Sequence, residues 1–230
     1  MNYEEVLEKL EKSKNPRNAD SMARFGIRPK AKVYGVSMPA IRKIAKEIKK
    51  DHKLALKLFD SKIHEAKILA TIIAQKEKIT EKEIECWIKK FDSWDIVDQC
   101  CMNLFSGIKI SRKKIKEWAE NEKEFIRRTA FSMIAVMAVK NKEMKDEDFL
   151  KFFSLIAKYA TDERNFVKKA VNWALRQIGK RNKRLNKEAI NLARNILEIG
   201  KNKDLKSVKW IANNALLELT SEKYQKRFKY

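Results

Sequence analysis

FIRRTAFSMI from Phe125, FVKKAVNWAL from Phe166 and SVKWIANNAL from Ser207 decide the fold. They begin at 125, 166 and 207, a constant step of 41 residues. Each repeats apolar positions at helical spacing and carries a cation at its third place: Arg127, Lys168 and Lys209. A step of that length belongs to arrays of helix pairs of the HEAT and armadillo kind. Such a unit cannot bury its apolar face alone, so neighbours stack. The expectation is an all-α, HEAT-like (armadillo-type) helical-repeat solenoid whose second helices line one side.

The rest of the chain agrees. It holds five Gly and three Pro, and few stretches alternate with period two, so strands are scarce. A first helix is expected near Asn2 to Ser13, with Tyr3, Val6, Leu7 and Leu10 on one face. Pro29 to Ser37 reads as an irregular connection. Ser37 then caps a helix with Pro39 in its first turn and a stripe of Ile41, Ile44, Ala45 and Ile48. Another helix carries Ala66, Leu69, Ile72 and Ile73. Thr80 and Glu83 form a capping box ahead of Ile84, Trp87, Ile88 and Phe91. Ser93, Ser111, Asp162, Asn186 and Asp204 are expected N-caps, and Gly179 and Gly200 expected C-caps. No internal linker appears, so one domain over 1–230 is expected. The basic, aromatic KYQKRFKY from Lys223 reads as a frayed tail.

Bulk properties narrow the function. A hydrophobic fraction of 44% over 230 residues suits a folded domain rather than a disordered one. No apolar run approaches the ~18 residues of a membrane span, and the acidic N-terminus is unlike a secretory signal. A cytoplasmic, nucleoid-associated protein is expected. Cys86, Cys100 and Cys101 lack the pairing of a disulfide framework or zinc ribbon. His52 and His64 are isolated and read as surface or satisfied helix residues. Neither a metal nor a cofactor is expected. The 53 basic and 31 acidic side chains leave a net charge of +22. A folded domain this basic repels itself unless it meets a polyanion, and nucleic acid is the expected one.

Several residues fit the packing stripes poorly. On the helix of Val167, Ala170, Val171, Ala174, Leu175 and Ile178, Trp173 lies about a third of a turn off the stripe. Its angular neighbours are Lys169, Arg176 and Lys180. An indole among cations suits a surface meeting phosphates and sugars; it equally suits a Trp covered by a neighbouring helix with cation–π partners. After Ser93, Val97, Cys100, Cys101 and Leu104 form a stripe, with Trp94 and Asp98 sharing its edge at i and i+4. A partly desolvated carboxylate beside an indole has a strengthened field, although Asp98 could also be a buried ion pair or a cap. Asp95 is expected nearer solvent, and Glu65 in a solvated helix position. Arg127 and Arg128 open a helix apolar nearly all round to Val139. Arg128 lies opposite the main stripe, facing either a groove or a structural ion-pair partner.

Taken in order, MARF from Met22, GVSMPAIR from Gly35, SWDIVD from Ser93, FIRRTA from Phe125 and FVKKAVNWALR from Phe166 resemble the DNA alkylation repair family, the AlkD-like glycosylases built from HEAT-like repeats. The resemblance implies a C-shaped solenoid with a basic concave face that holds duplex DNA and releases N3- or N7-alkylated purines. It places the catalytic carboxylate on Asp98, cleft tryptophans on Trp94 and Trp173, and DNA contacts on Arg128 and Arg176. Phe25 stands where active relatives often carry Tyr, so the ring is kept and the hydroxyl is not. Lys169, Lys180 and Arg127 complete the expected DNA-contacting set. A monomer acting on duplex DNA with alkylated purines, without an obligatory protein partner, is expected. Two rivals remain: a non-catalytic DNA-binding protein recognising damaged or branched DNA, and a helical adaptor for acidic proteins.

Overall fold

The computed structural model describes residues 1–202 and 205–228. Among these, the regular structure is helical apart from an isolated bridge between Lys32 and Ile63. No described helix is long and apolar enough to cross a membrane. The chain divides into two compact units, Met1–Arg112 and Lys113–Tyr230.

The first unit contains α1 (Tyr3–Lys12), α2 (Pro16–Arg24), α3 (Met38–Ile48), α4 (His52–Phe59), α5 (His64–Ile73), α6 (Glu81–Lys89) and α7 (Trp94–Asn103), and α8 (Lys109–Lys113) follows. Short polar side chains start most of these helices. Asn2 and Glu5 form a reciprocal capping box on α1, as Thr80 and Glu83 do on α6. Asn15 caps α2 ahead of Pro16, Ser37 caps α3 ahead of Pro39, and Asp51 caps α4. Each cap satisfies an otherwise orphaned N–H and contributes about 1 kcal/mol. Packing centres on α5, which meets α1, α3, α4 and α7. Between α4 and α6, the Phe59 and Trp87 rings stack with centroids 3.9 Å apart.

The second unit contains α9 (Ile115–Glu120), α10 (Glu124–Lys140), α11 (Asp146–Leu150), α12 (Phe152–Tyr159), α13 (Asn165–Gly179), α14 (Lys183–Asn202), α15 (Lys206–Leu219) and α16 (Glu222–Lys226). The three segments that revealed the repeat lie on α10, α13 and α15, and α13 packs against both of the others. A similar step, of 39 to 44 residues, separates partners bonded between repeats. The Phe166 N–H donates to Glu124 Oε1 at 3.2 Å, and the Ser207 N–H to Glu163 Oε1 at 2.9 Å. Asn172 Nδ2 donates to the Ile211 carbonyl at 3.0 Å. The Phe125 and Phe166 rings lie 5.6 Å apart. Polar groups at one helix start are thus satisfied by the preceding repeat, which fixes register as well as contact. α10 is buried on nearly every side from Ile126 to Ala138.

Several expected caps are corrected. Ser111 is buried inside α8. Asn186 is buried inside α14, where its carboxamide donates to the carbonyls of Gly179 and Leu219; Asn182 instead accepts the Leu185 N–H at 2.9 Å. Asp162 precedes the start of α13 and accepts the Arg164 N–H. Gly179 closes α13 and Gly200 lies within α14, and both are close-approach sites. A Cβ would meet Leu219 Cδ1 at 2.7 Å from Gly179 and Val208 Cγ1 at 2.8 Å from Gly200. Asp204 lies outside the described residues. The frayed-tail expectation fails for α16: Gln225 donates to Asn186 and to the Leu219 carbonyl, and Lys180 sits over the Tyr224 ring.

Asn172→Ala is expected to lower stability by about 1–3 kcal/mol, because it orphans a buried carbonyl between repeats. The exposed Asn213→Ala should stay within about 0.5 kcal/mol. Urea denaturation midpoints of the two variants measure the difference.

Candidate active site

α7 presents Trp94 and Asp98 on one side, and the structure places both on a cavity of ≈ 480 Å³ in the first unit. Phe25 lines the same cavity, so three of the expected residues meet there. The other walls come from α2, α3, α5 and the irregular connection between α2 and α3. They are largely apolar, with Met22, Met38, Ile68 and Met102 among them. Asp98 is 8% exposed at this wall. Trp94 is half-buried and its Nε1 donates to the Phe25 carbonyl at 3.1 Å. That bond commits the backbone of Phe25 to the indole and leaves the ring outside, 74% exposed.

Two groups that hold this cavity together are corrections to the sequence reading. Glu65 is fully buried, not solvated. Its carboxylate accepts the N–H groups of Tyr34 (3.0 Å), Gly35 (2.6 Å) and Val36 (3.3 Å). Three successive amides converging on one anion make charge-assisted bonds, stronger than neutral ones. The connection is also pinned to α2: the Asn15 N–H donates to the Tyr34 carbonyl and Asn18 Nδ2 to the Gly35 carbonyl. Gly35 has φ +74°, and a Cβ there would lie 2.1 Å from the Asn15 carbonyl oxygen. Only glycine fits that position.

Asp95 is buried, not turned to solvent. It lies 2.6 Å from His64 Nε2 on α5 and accepts the Ser93 hydroxyl at 2.5 Å. Ser93 holds the N-cap position without capping through its side chain. Burial alone pushes the Asp95 carboxyl up; the hydrogen bond and attraction of His64, with Ser93 and the Ile96 N–H, outweigh it and hold it below the ordinary range. An ionised Asp95 places the His64 proton on Nε2. His64 is fully buried and its Nδ1 has no hydrogen-bond partner. Among the cysteines, burial and the adjacent Cys101 push the Cys100 thiol well up, which removes it as a nucleophile.

The remaining expected residues belong to the second unit. Trp173 is half-buried on α13, consistent with its place off the stripe. Lys169 is exposed. Arg176 and Lys180 both pair with Glu218 on α15. Two cations on one carboxylate leave a surplus positive charge on the side of α13 that carries Trp173. Arg127 and Arg128 are corrections. Arg127 donates to the Ala119 carbonyl and to Asp162, and its guanidinium lies over the Tyr159 ring. Arg128 is 5% exposed and donates to the Phe166 carbonyl at 2.6 Å. Both join elements of the unit rather than present a free cation. The partners sit about one repeat further along, and that step was the signal that could have revealed them.

Comparisons with known proteins agree with this architecture. A family model described as DNA alkylation repair enzyme matches residues 6–208. No curated protein sequence matches the chain. The chain shares its fold with a solved protein described as one of "a new family of proteins related to the HEAT-like repeat DNA glycosylases with affinity for branched DNA structures". That likeness has a TM-score of 0.76 at 20% identity and covers 84% of this chain and 83% of the other. The HEAT-like fold expected from the 41-residue step is therefore present.

Glu65→Gln puts a donor where two acceptor oxygens meet three donors. It is expected to cost about 2–4 kcal/mol, read as a lower urea midpoint, and a change below about 0.5 kcal/mol would contradict the role given to Glu65. The Asp95 carboxyl sits below its unfolded value, so the folded chain binds fewer protons than the unfolded one as pH falls. Its contribution is complete above about pH 4 and disappears as pH drops through the folded value. Asp95→Asn should accordingly flatten the acid side of the curve of Tm against pH below about pH 4.

Proposed function

The chain belongs to the DNA alkylation repair enzyme family, and on that premise we propose that it is a DNA glycosylase releasing N3- or N7-alkylated purines from duplex DNA. The observation that carries the reading is a carboxylate, Asp98, on the wall of a largely apolar cavity beside an indole.

An N3- or N7-alkylated purine carries a positive charge and is already a good leaving group. Breaking the bond between C1′ and the base nitrogen sends the electron pair to the base, which departs neutral. The sugar is left oxocarbenium-like and cationic. The useful catalyst is a fixed anion beside the deoxyribose where water screens it poorly. Asp98 would stabilise that cation and orient the water whose oxygen bonds to C1′, taking up the proton that water loses and passing it to solvent. Trp94, held by the Phe25 carbonyl, would present its electron-rich face to the same charge. Phe25 offers an exposed ring for stacking on a base or sugar. On the second unit, Lys169, with the surplus charge of Arg176 and Lys180 beside Trp173, would contact phosphates. Arg127 and Arg128 support the scaffold in this scheme.

A second reading, DNA binding without base release, draws on the affinity for branched DNA in the description of the solved relative. Release of 7-methylguanine from methylated duplex separates the two. Wild type should release the base, and Asp98→Asn should slow release by about 10²–10³-fold while keeping Tm and duplex affinity. Equal release by both proteins would remove Asp98 from the chemistry. No release by wild type, with tight binding to branched DNA, would favour the second reading.

A further inference from the structure

A different face of the first unit carries a feature the proposed chemistry does not use. Two adjoining depressions of ≈ 590 and ≈ 650 Å³ share Lys30, Asp60 and Lys67. Together they are lined by Lys30, Lys32, Lys62, Lys67, Lys89 and Lys90. The acidic lining residues are already engaged. Asp60 pairs with Lys90 at 2.5 Å, and Asp92 accepts the Lys30 N–H at 2.8 Å. Lys32 lies over the Tyr34 ring, which tethers it without neutralising it.

The floor of this groove is built, not incidental. Lys30, Ala31, Lys32 and Tyr34 come from the same connection whose next residues, Gly35, Val36 and Ser37, line the Asp98 cavity. Groove and cavity share no lining residue, and both draw on the one segment that Glu65 holds in place. The bridge between Lys32 and Ile63 fixes that segment to the start of α5.

We propose that this lysine groove is a second contact track for nucleic acid, binding the phosphate backbone of a segment outside the one at Asp98. The proposal rests on nucleic acid being the partner, and not on base release. The chemistry fits a phosphate chain better than an acidic protein. The cations are all lysines, which act as point charges on phosphates without reading a planar carboxylate fork. Of the aromatic side chains that line it, Phe59 and Phe91 are buried and Tyr34 is half-buried beneath Lys14 and Lys32, so no large exposed apolar side chain offers the protruding anchor that protein interfaces centre on.

The test is a triple variant, Lys62→Gln with Lys67→Gln and Lys89→Gln, set against a charge-matched control at Lys53, Lys78 and Lys82, three exposed lysines of the first unit. Duplex affinity is measured on unmodified DNA across a salt series, with inorganic polyphosphate as a competing probe. The groove variant should bind roughly tenfold or more weakly, and its slope of log affinity on log salt should fall by about two to three, near 0.9 for each phosphate no longer neutralised. The control should change the slope by less than about one. On methylated duplex at saturation, kcat should be unaltered and KM raised. Equal weakening in both triple variants would show bulk charge alone and overturn the proposal. So would polyphosphate displacing the duplex from both variants as readily as from wild type. Because binding is read on undamaged DNA, absence of base release by wild type would sink the catalytic reading and leave this measurement intact. A melting curve for each variant confirms folding.

Discussion

The irregular wall of the Asp98 cavity depends on one buried carboxylate. The connection from α2 to α3 has almost no regular structure, and a segment of that kind has little enthalpy of its own to oppose its conformational entropy. Glu65 supplies what a sheet or helix would otherwise provide. Its two oxygens receive three consecutive amide protons, and Gly35 makes the tight turn that lets those amides converge. An anion buried without partners would cost several kcal/mol. Here the amides satisfy it, and in doing so they hold the connection against α5. That anchoring holds one wall of the cavity and, through Lys32 and Tyr34, part of the lysine groove.

A second tie runs from α5 to α7. Adjacent residues of α5 do two different jobs: His64 reaches Asp95 at the start of α7, and Glu65 reaches the connection. The first turn of α7 is therefore fixed before Asp98 is reached one turn later. Trp94 closes the ring of contacts by donating to Phe25. In this arrangement three carboxylates share a neighbourhood without sharing a role. Glu65 accepts the amides, Asp95 is held ionised by His64 and Ser93, and Asp98, one turn further along α7, lines the cavity together with Trp94. In the proposed chemistry Asp98 would be the anion beside the sugar, on a helix whose start Asp95 orients and in a cavity whose irregular wall Glu65 holds.

The fold was legible because periodicity is a local property. The 41-residue step, the stripes of α1 and α3 and the capping box of α6 needed no knowledge of partners. The site was legible in part, and the failures share a cause. Arg127, Arg128, Arg176 and Lys180 look alike as exposed cations until their partners are known, and those partners are Asp162, the Phe166 carbonyl and Glu218, each about one repeat away. Glu65 carried a missed signal: it shares the buried stripe of Ile68, Leu69 and Ile73 at i+3, i+4 and i+8, and a charged residue on a core stripe demands a partner. Asp95 was misplaced because α7 is buried on more than one side, where a single-stripe reading assigns the off-stripe residues to solvent. The lysine groove could not be read at all, since its cations come from connections and helices far apart in sequence.

Native-state hydrogen exchange at the Tyr34, Gly35 and Val36 amides tests the anchoring claim most directly. If Glu65 holds them, these amides exchange as slowly as those in the buried core of α5, even though they lie outside any helix or strand. Exchange at the rate of an unprotected loop would contradict the claim, and with it the preformed cavity in which Asp98 is placed.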